Sequence, residues 1–117
     1  MRLPFHSVEQ ASAVSRQISR HLLEGGVIAC PTETVYGLSS AIDGKGCSQL
    51  AAMKRRPPDQ PFLVLVGNMR MLDGLGLDVP PTALELMRQF WPGPLTLVLS
   101  AAARDLPDEL RGPDGGV

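Results

Sequence analysis

The sequence predicts an α/β fold: an open, twisted sheet, mixed or partly parallel, flanked by helices. Three observations predict it. Apolar residues recur at helical spacing in two stretches, 8–24 and 82–90. Short unbroken apolar runs at 27–30, 62–66 and 95–99 stand beside glycines and prolines, as buried strands do. The two kinds of segment alternate along the chain, the pattern of strands covered by helices. A chain of 117 residues is long enough for one core and too short for two, so 1–117 is taken as one domain.

Ser7-Val8-Glu9-Gln10 is a capping-box pattern, with Ser7 as N-cap and Gln10 reaching back. Val8, Ala11, Val14, Ile18 and Leu22 then form one apolar stripe, and Gly25-Gly26 supply a left-handed stop. Arg16, Gln17 and Arg20 fall on the wet side. Val27–Cys30, between Gly26 and Pro31, reads as a buried strand. Residues 39–46 read as loop, and Leu50, Ala51 and Met53 suffice for a short helix over 48–53.

Phe62–Val66, between Pro61 and Gly67, is the strongest strand signal. Residues 69–75 allow one or two helical turns. Pro80-Pro81 introduce the helix over 82–90, with Ala83, Leu84, Leu86, Met87 and Phe90 on its apolar side. Trp91-Pro92-Gly93-Pro94 breaks it, and Leu95–Leu99 reads as a third strand. From Ala101 the sequence turns small, charged and rich in proline and glycine, so 101–117 is expected to be loop or a cut end. Three strands are few for so much flanking helix, which favours a chain cut before further strands.

Composition narrows the function. No apolar stretch approaches membrane-spanning length, and the N-terminus lacks a signal-peptide core. Cys30, Cys47, His6 and His21 fit no metal-ligand spacing, so a cytoplasmic protein with two reduced thiols is expected. Net charge is −1 and pI about 6.1. Any anion must therefore be held by a local cluster. Walker-type, G-x-G-x-x-G and G-x-S-x-G patterns are missing from the sequence.

Two clusters carry candidate chemistry. In Pro31–Leu38, an extended Thr32-Glu33-Thr34 would put both hydroxyls on one face, suited to the amino and carboxylate groups of a small zwitterion. Gly37 would let a ligand approach the backbone closely. The plainer alternative is a strand-to-loop transition with the hydroxyls bonded to nearby backbone. In Lys54-Arg55-Arg56-Pro57-Pro58, Pro57 disfavours helix at Arg56. If the segment is extended, Lys54 and Arg56 point the same way and form a two-pronged cation for phosphates. On a helix they would be splayed by about 200°. A solvated basic helix end is the alternative there. Trp91 reads as scaffold, a plug at the helix end, and Thr96 as a polar break in an apolar run that could face the pocket.

Together, Gly25–Leu38 (GGVIACPTETVYGL), Lys54–Val66 (KRRPPDQPFLVLV) and Trp91–Leu99 (WPGPLTLVL) resemble the YrdC-like family, the threonylcarbamoyl-AMP synthases, in order and in spacing. The resemblance runs from the first helix to the end of the chain. It implies a nucleotidyltransferase: L-threonine and bicarbonate form a carbamate that attacks the α-phosphate of ATP, giving threonylcarbamoyl-AMP and pyrophosphate. A downstream tRNA-modifying transferase would then take the product. By resemblance, Thr34, with Thr32, contacts L-threonine, and Lys54, Arg56 and Gln60 contact ATP. Magnesium is implied to arrive with the nucleotide. No protein nucleophile is implied, since such a transfer needs positioning and charge neutralisation.

The chain departs from the family pattern in two places. Leu65 stands where some members carry a substrate-contacting histidine. An arginine-bearing strand and a later Ser/Asn motif are expected beyond Val117. Two other functions compete: an RNA-binding module using the 54–56 cluster, and a truncated, catalytically silent fragment. Net charge and the scarcity of aromatics weigh against the RNA module.

Overall fold

In the computed structural model, which describes residues 1–4, 6–101 and 105–117, helix α1 spans Val8–Leu23. Ser7 caps it, its side chain accepting from the Gln10 N–H at 3.3 Å. Gln10 reaches one residue further back than the capping box requires, accepting from the His6 N–H at 2.8 Å. Gly25, with φ 86°, makes the left-handed stop, and its N–H and that of Gly26 donate to the Leu22 and His21 carbonyls. Ala11, Val14, Ile18 and Leu22 are half-buried along one face; Val8, at the helix's free end, is exposed.

The chain then turns through a hairpin. Strand β1 (Ile28–Pro31) pairs antiparallel with β2 (Tyr36–Ser39), Ile28 facing Ser39 and Pro31 facing Tyr36. Helix α2 (Gly44–Lys54) follows, capped by Asp43, whose Oδ1 accepts from the Gly46 N–H at 2.6 Å. So the stretch 39–46, read as loop, contains the end of β2 and the first turn of α2. Gly44 and Gly46, poor helix formers, hid that turn behind its aspartate cap. Lys45 donates to the Glu24 carbonyl at 2.7 Å, tying the start of α2 to the end of α1.

Helix α3 (Arg70–Leu75), strand β3 (Leu77–Asp78), helix α4 (Pro81–Phe90) and strand β4 (Ser100–Ala101) complete the body, and β3 pairs antiparallel with β4. The core is Leu72, Ala83, Met87 and Leu99, with Val66, Leu77, Val79, Trp91 and Leu97 packed against it. In α4 the buried seam is Ala83 and Met87, continued by Trp91, while Leu86 and Phe90 are 40% and 49% exposed. Trp91 plugs the helix end as expected, donating from Nε1 to the Leu95 carbonyl at 2.8 Å.

The α/β class holds, with corrections to the sheet. Among the described residues both sheets are two-stranded and antiparallel, where an open mixed or partly parallel one was expected. Phe62–Val66 and Leu95–Leu99 alternate between covered and exposed residues, as extended chain does, yet neither forms a ladder over its length. A strand needs a neighbour to accept and donate its hydrogen bonds, and apolar content alone supplies none.

Residues 105–117 are mostly irregular chain and turns. A short 3₁₀ turn, Asp108–Leu110, lies against α2, and its Leu110 is buried, as are Cys47 and Leu50 of α2. Val117 and Leu99 exchange two backbone hydrogen bonds of 2.9 Å.

Candidate functional site

The threonine-bearing segment is the connection of the β1–β2 hairpin, and it is bent rather than extended. Thr32 closes the turn. Its N–H donates to the Val35 carbonyl at 3.0 Å, and its hydroxyl donates to the same oxygen at 2.7 Å. The hydroxyl also accepts from the Val35 N–H at 3.3 Å and the Thr34 N–H at 3.4 Å. This is the local side-chain-to-backbone bonding that threonine offers in turns. Thr34 is exposed, and its hydroxyl makes no hydrogen bond among the described residues. Gly37 sits within β2, and a Cβ built there would meet open space.

The cationic cluster is built differently from the extended arrangement the sequence suggested. Lys54 is the last residue of α2, and Arg55 is left-handed, with φ 48° and ψ 42°. The Arg55 and Arg56 N–H groups turn back to the Ala52 and Ala51 carbonyls at 3.2 and 3.1 Å. A left-handed step reverses the chain more sharply than Pro57 straightens it. Lys54 and Arg56 nevertheless approach the same ring. Lys54 Nζ lies 5.7 Å and Arg56 Cζ 4.7 Å from the centroid of the Phe62 ring. Arg56 is further pinned, its Nε donating to the Gln60 carbonyl at 2.7 Å and its Nη2 to the Pro61 carbonyl at 2.8 Å.

At Arg56 lies a cleft of about 300 Å³ lined by Arg56, Pro57, Gln60, Phe62, Asp108 and Glu109. Glu109 is engaged, accepting from the Ser48 hydroxyl at 2.7 Å. Its negative charge adds to burial, the larger cause, in raising the Cys47 thiol above its ordinary range. A hollow of about 560 Å³ runs along α1, between Arg16, Arg20, Leu23 and Glu24. One helix cannot enclose a ligand, so that hollow is a surface groove.

Of the residues singled out from sequence, Arg56 and Gln60 share the cleft, and Lys54 joins Arg56 over the same ring. Thr32 and Thr34 do not line it, and Thr96 is exposed on the 95–99 segment. Sequence reasoning read Phe62 as strand and missed it here; an aromatic six residues beyond a basic pair was the available signal. Asp108 and Glu109 were missed because they reach the cleft across more than forty residues of sequence.

Comparison with known proteins assigns the class. The chain belongs to the Sua5/YciO/YrdC family, described as telomere recombination, whose profile matches residues 20–117. It is similar to the threonylcarbamoyl-AMP synthase of Pyrococcus abyssi, 43% identical over 77 residues that cover 65% of this chain and 23% of that protein. The Bacillus subtilis enzyme of the same name is 40% identical over 71% of this chain and 24% of its own length. For that of Neisseria meningitidis serogroup A the values are 38%, 87% and 54%. Among solved structures, Sua5 of P. abyssi complexed with L-threonine matches with a TM-score of 0.79 and 36% identity, over 87% of this chain and 30% of that one. The chain thus spans roughly a quarter to a half of the length of these relatives.

Proposed function

We propose that this chain carries the L-threonine- and ATP-binding elements of a threonylcarbamoyl-AMP synthase. The amine of L-threonine takes up bicarbonate with loss of water, and the resulting carbamate oxygen attacks the α-phosphorus of ATP. The bond to the β-phosphate oxygen breaks and pyrophosphate leaves. Thr34 meets the amino acid. Thr32 shapes the turn that presents it. Lys54 and Arg56 take the phosphates, and Gln60 lines the nucleotide's cleft. The observation that carries this reading is the approach of Lys54 and Arg56 to one ring, Phe62, which with Arg56 lines that cleft.

Two cations held in a preorganised place stabilise the charge that develops on the departing pyrophosphate. With Nε and Nη2 of Arg56 bonded to backbone carbonyls, Nη1 is left for a phosphate oxygen. Asp108 and Glu109 would repel a bare triphosphate, and magnesium carried in with ATP offsets that repulsion. The ion travels as part of the substrate, as magnesium usually does when it is bound through substrate phosphates. A downstream transferase that modifies tRNA would consume the product, and we place this chemistry in the cytoplasm. Among the described residues no helix is long and apolar enough to cross a membrane.

The test is pyrophosphate release that requires ATP, L-threonine and bicarbonate together. Lys54→Ala and Arg56→Ala should each lose the signal. Normal release in both variants would overturn the assignment. Retention of RNA at physiological salt without turnover would favour a binding module instead.

A further inference from the structure

We propose that Phe62 is the positioning residue that holds Lys54 and Arg56 together as one phosphate grip, an inference that rests on reading those two as ATP contacts. The backbone does not hold them together. Lys54 ends a helix, Arg55 is left-handed, and Arg56 starts a loop that runs on through Pro57. Nor does an acid: among the described residues neither cation makes an ion pair, although Asp108 and Glu109 line the same cleft as Arg56. What lies close to both is one ring, 5.7 Å from the ammonium nitrogen and 4.7 Å from the guanidinium carbon.

That choice of partner has a chemical consequence. A carboxylate placed between the cations would cancel their charge and compete with the phosphate for them. The ring's quadrupole attracts cations while carrying no net charge, so the pair stays gathered with its positive charge uncancelled. The ring is itself fixed. The Phe62 N–H donates to the Glu109 carbonyl at 2.8 Å. The two preceding residues, Gln60 and Pro61, accept from the Arg56 guanidinium. Arg56, the 57–61 loop and the ring therefore form one closed unit, against which the more flexible Lys54 side chain rests.

The experiment uses the 117-residue chain and two variants. Phe62→Leu keeps an apolar side chain of similar reach and removes the ring; Phe62→Tyr restores it. In proton NMR without nucleotide, the Lys54 ε-methylene and Arg56 δ-methylene signals should be shifted upfield by the ring in wild type and Phe62→Tyr, and return to ordinary positions in Phe62→Leu. Titration with Mg-ATP should then show Phe62→Leu weakened about three- to tenfold, with Phe62→Tyr within about twofold of wild type. A purely structural role for the side chain would not separate leucine from tyrosine in this way while both variants keep the wild-type melting point. Unshifted methylenes in wild type overturn the proposal, as does unchanged Mg-ATP affinity in Phe62→Leu. If wild type shows the shifts and fails to bind Mg-ATP, the ATP reading of this cleft fails, and the proposed phosphate grip falls with it.

Discussion

The two candidate binding regions are held by opposite means. The hairpin connection Thr32–Val35 is secured inside four residues, by the Thr32 N–H and hydroxyl on the Val35 carbonyl and by backbone N–H groups returning to that hydroxyl. The cation pair is secured from outside its own segment, by the Phe62 ring and by loop carbonyls, with Phe62 in turn bonded to Glu109. A turn closed by neighbours in sequence survives disturbance elsewhere. An arrangement assembled from 54, 56, 62 and 109 lasts only while the packing around it lasts. The difference implies that the hairpin turn is robust and the cation pair is conditional on the fold.

The largest effect should come from the hydrophobic core. Met87 is fully buried among Leu72, Ala83 and Leu99, and Met87→Ala should cost about 2–5 kcal/mol. Urea melts would read that loss. A variant as stable as wild type would show that the packed layer is not what holds the domain. Next in size, Arg56→Ala should weaken Mg-ATP binding about 10- to 100-fold, as a charge-assisted contact and the loop's anchor go together. Threonine affinity should stay unchanged. A parallel loss of both would mean that the regions are coupled and the contrast is wrong.

Thr32→Val should do the reverse, at a cost of about 1 kcal/mol as the turn loses its hydroxyl bonds. Calorimetry with L-threonine and with Mg-ATP on the same variant would show a loss for the first ligand alone. The smallest effect is read by the two thiols, one in each region. Cys30 lies half-buried in β1, its Sγ 3.4 Å from the Ser39 hydroxyl, whereas Cys47 is buried in α2. Burial, with the Glu109 charge behind it, raises the Cys47 thiol, so iodoacetamide at pH 8 should modify Cys30 first. The sign for stability follows. The unfolded chain releases this proton near the ordinary thiol range while the folded chain retains it, so stability is present below that range and declines as pH rises through and above it. Equal alkylation rates would show that the Glu109 side of the molecule is open in solution.

The helices were legible because their evidence is local. Ser7 and Gly25 bracket α1 as capping chemistry requires, and Pro81 starts α4. The strands were half legible. Val27–Cys30 paired within one residue of its expected bounds, and β2 escaped notice because its four residues, Tyr36–Ser39, carry no apolar run. Phe62–Val66 kept an extended chain's alternation without a ladder. At the site, residue identities could be read and geometry could not: Pro57 argued for straight chain, and Arg55 adopted the left-handed turn.

By itself, then, the order of residues determined where helices begin and end, which hydroxyls and cations are available, and the family to which the chain belongs. Tertiary structure decided which extended runs found partners, and that a phenylalanine rather than a straight backbone draws Lys54 and Arg56 together. The reason is range. A helix satisfies its hydrogen bonds within a few residues, so its signal is written in consecutive positions. A ladder or a gathered pair of charges is completed by groups distant in sequence, whose arrival depends on how everything between them packs.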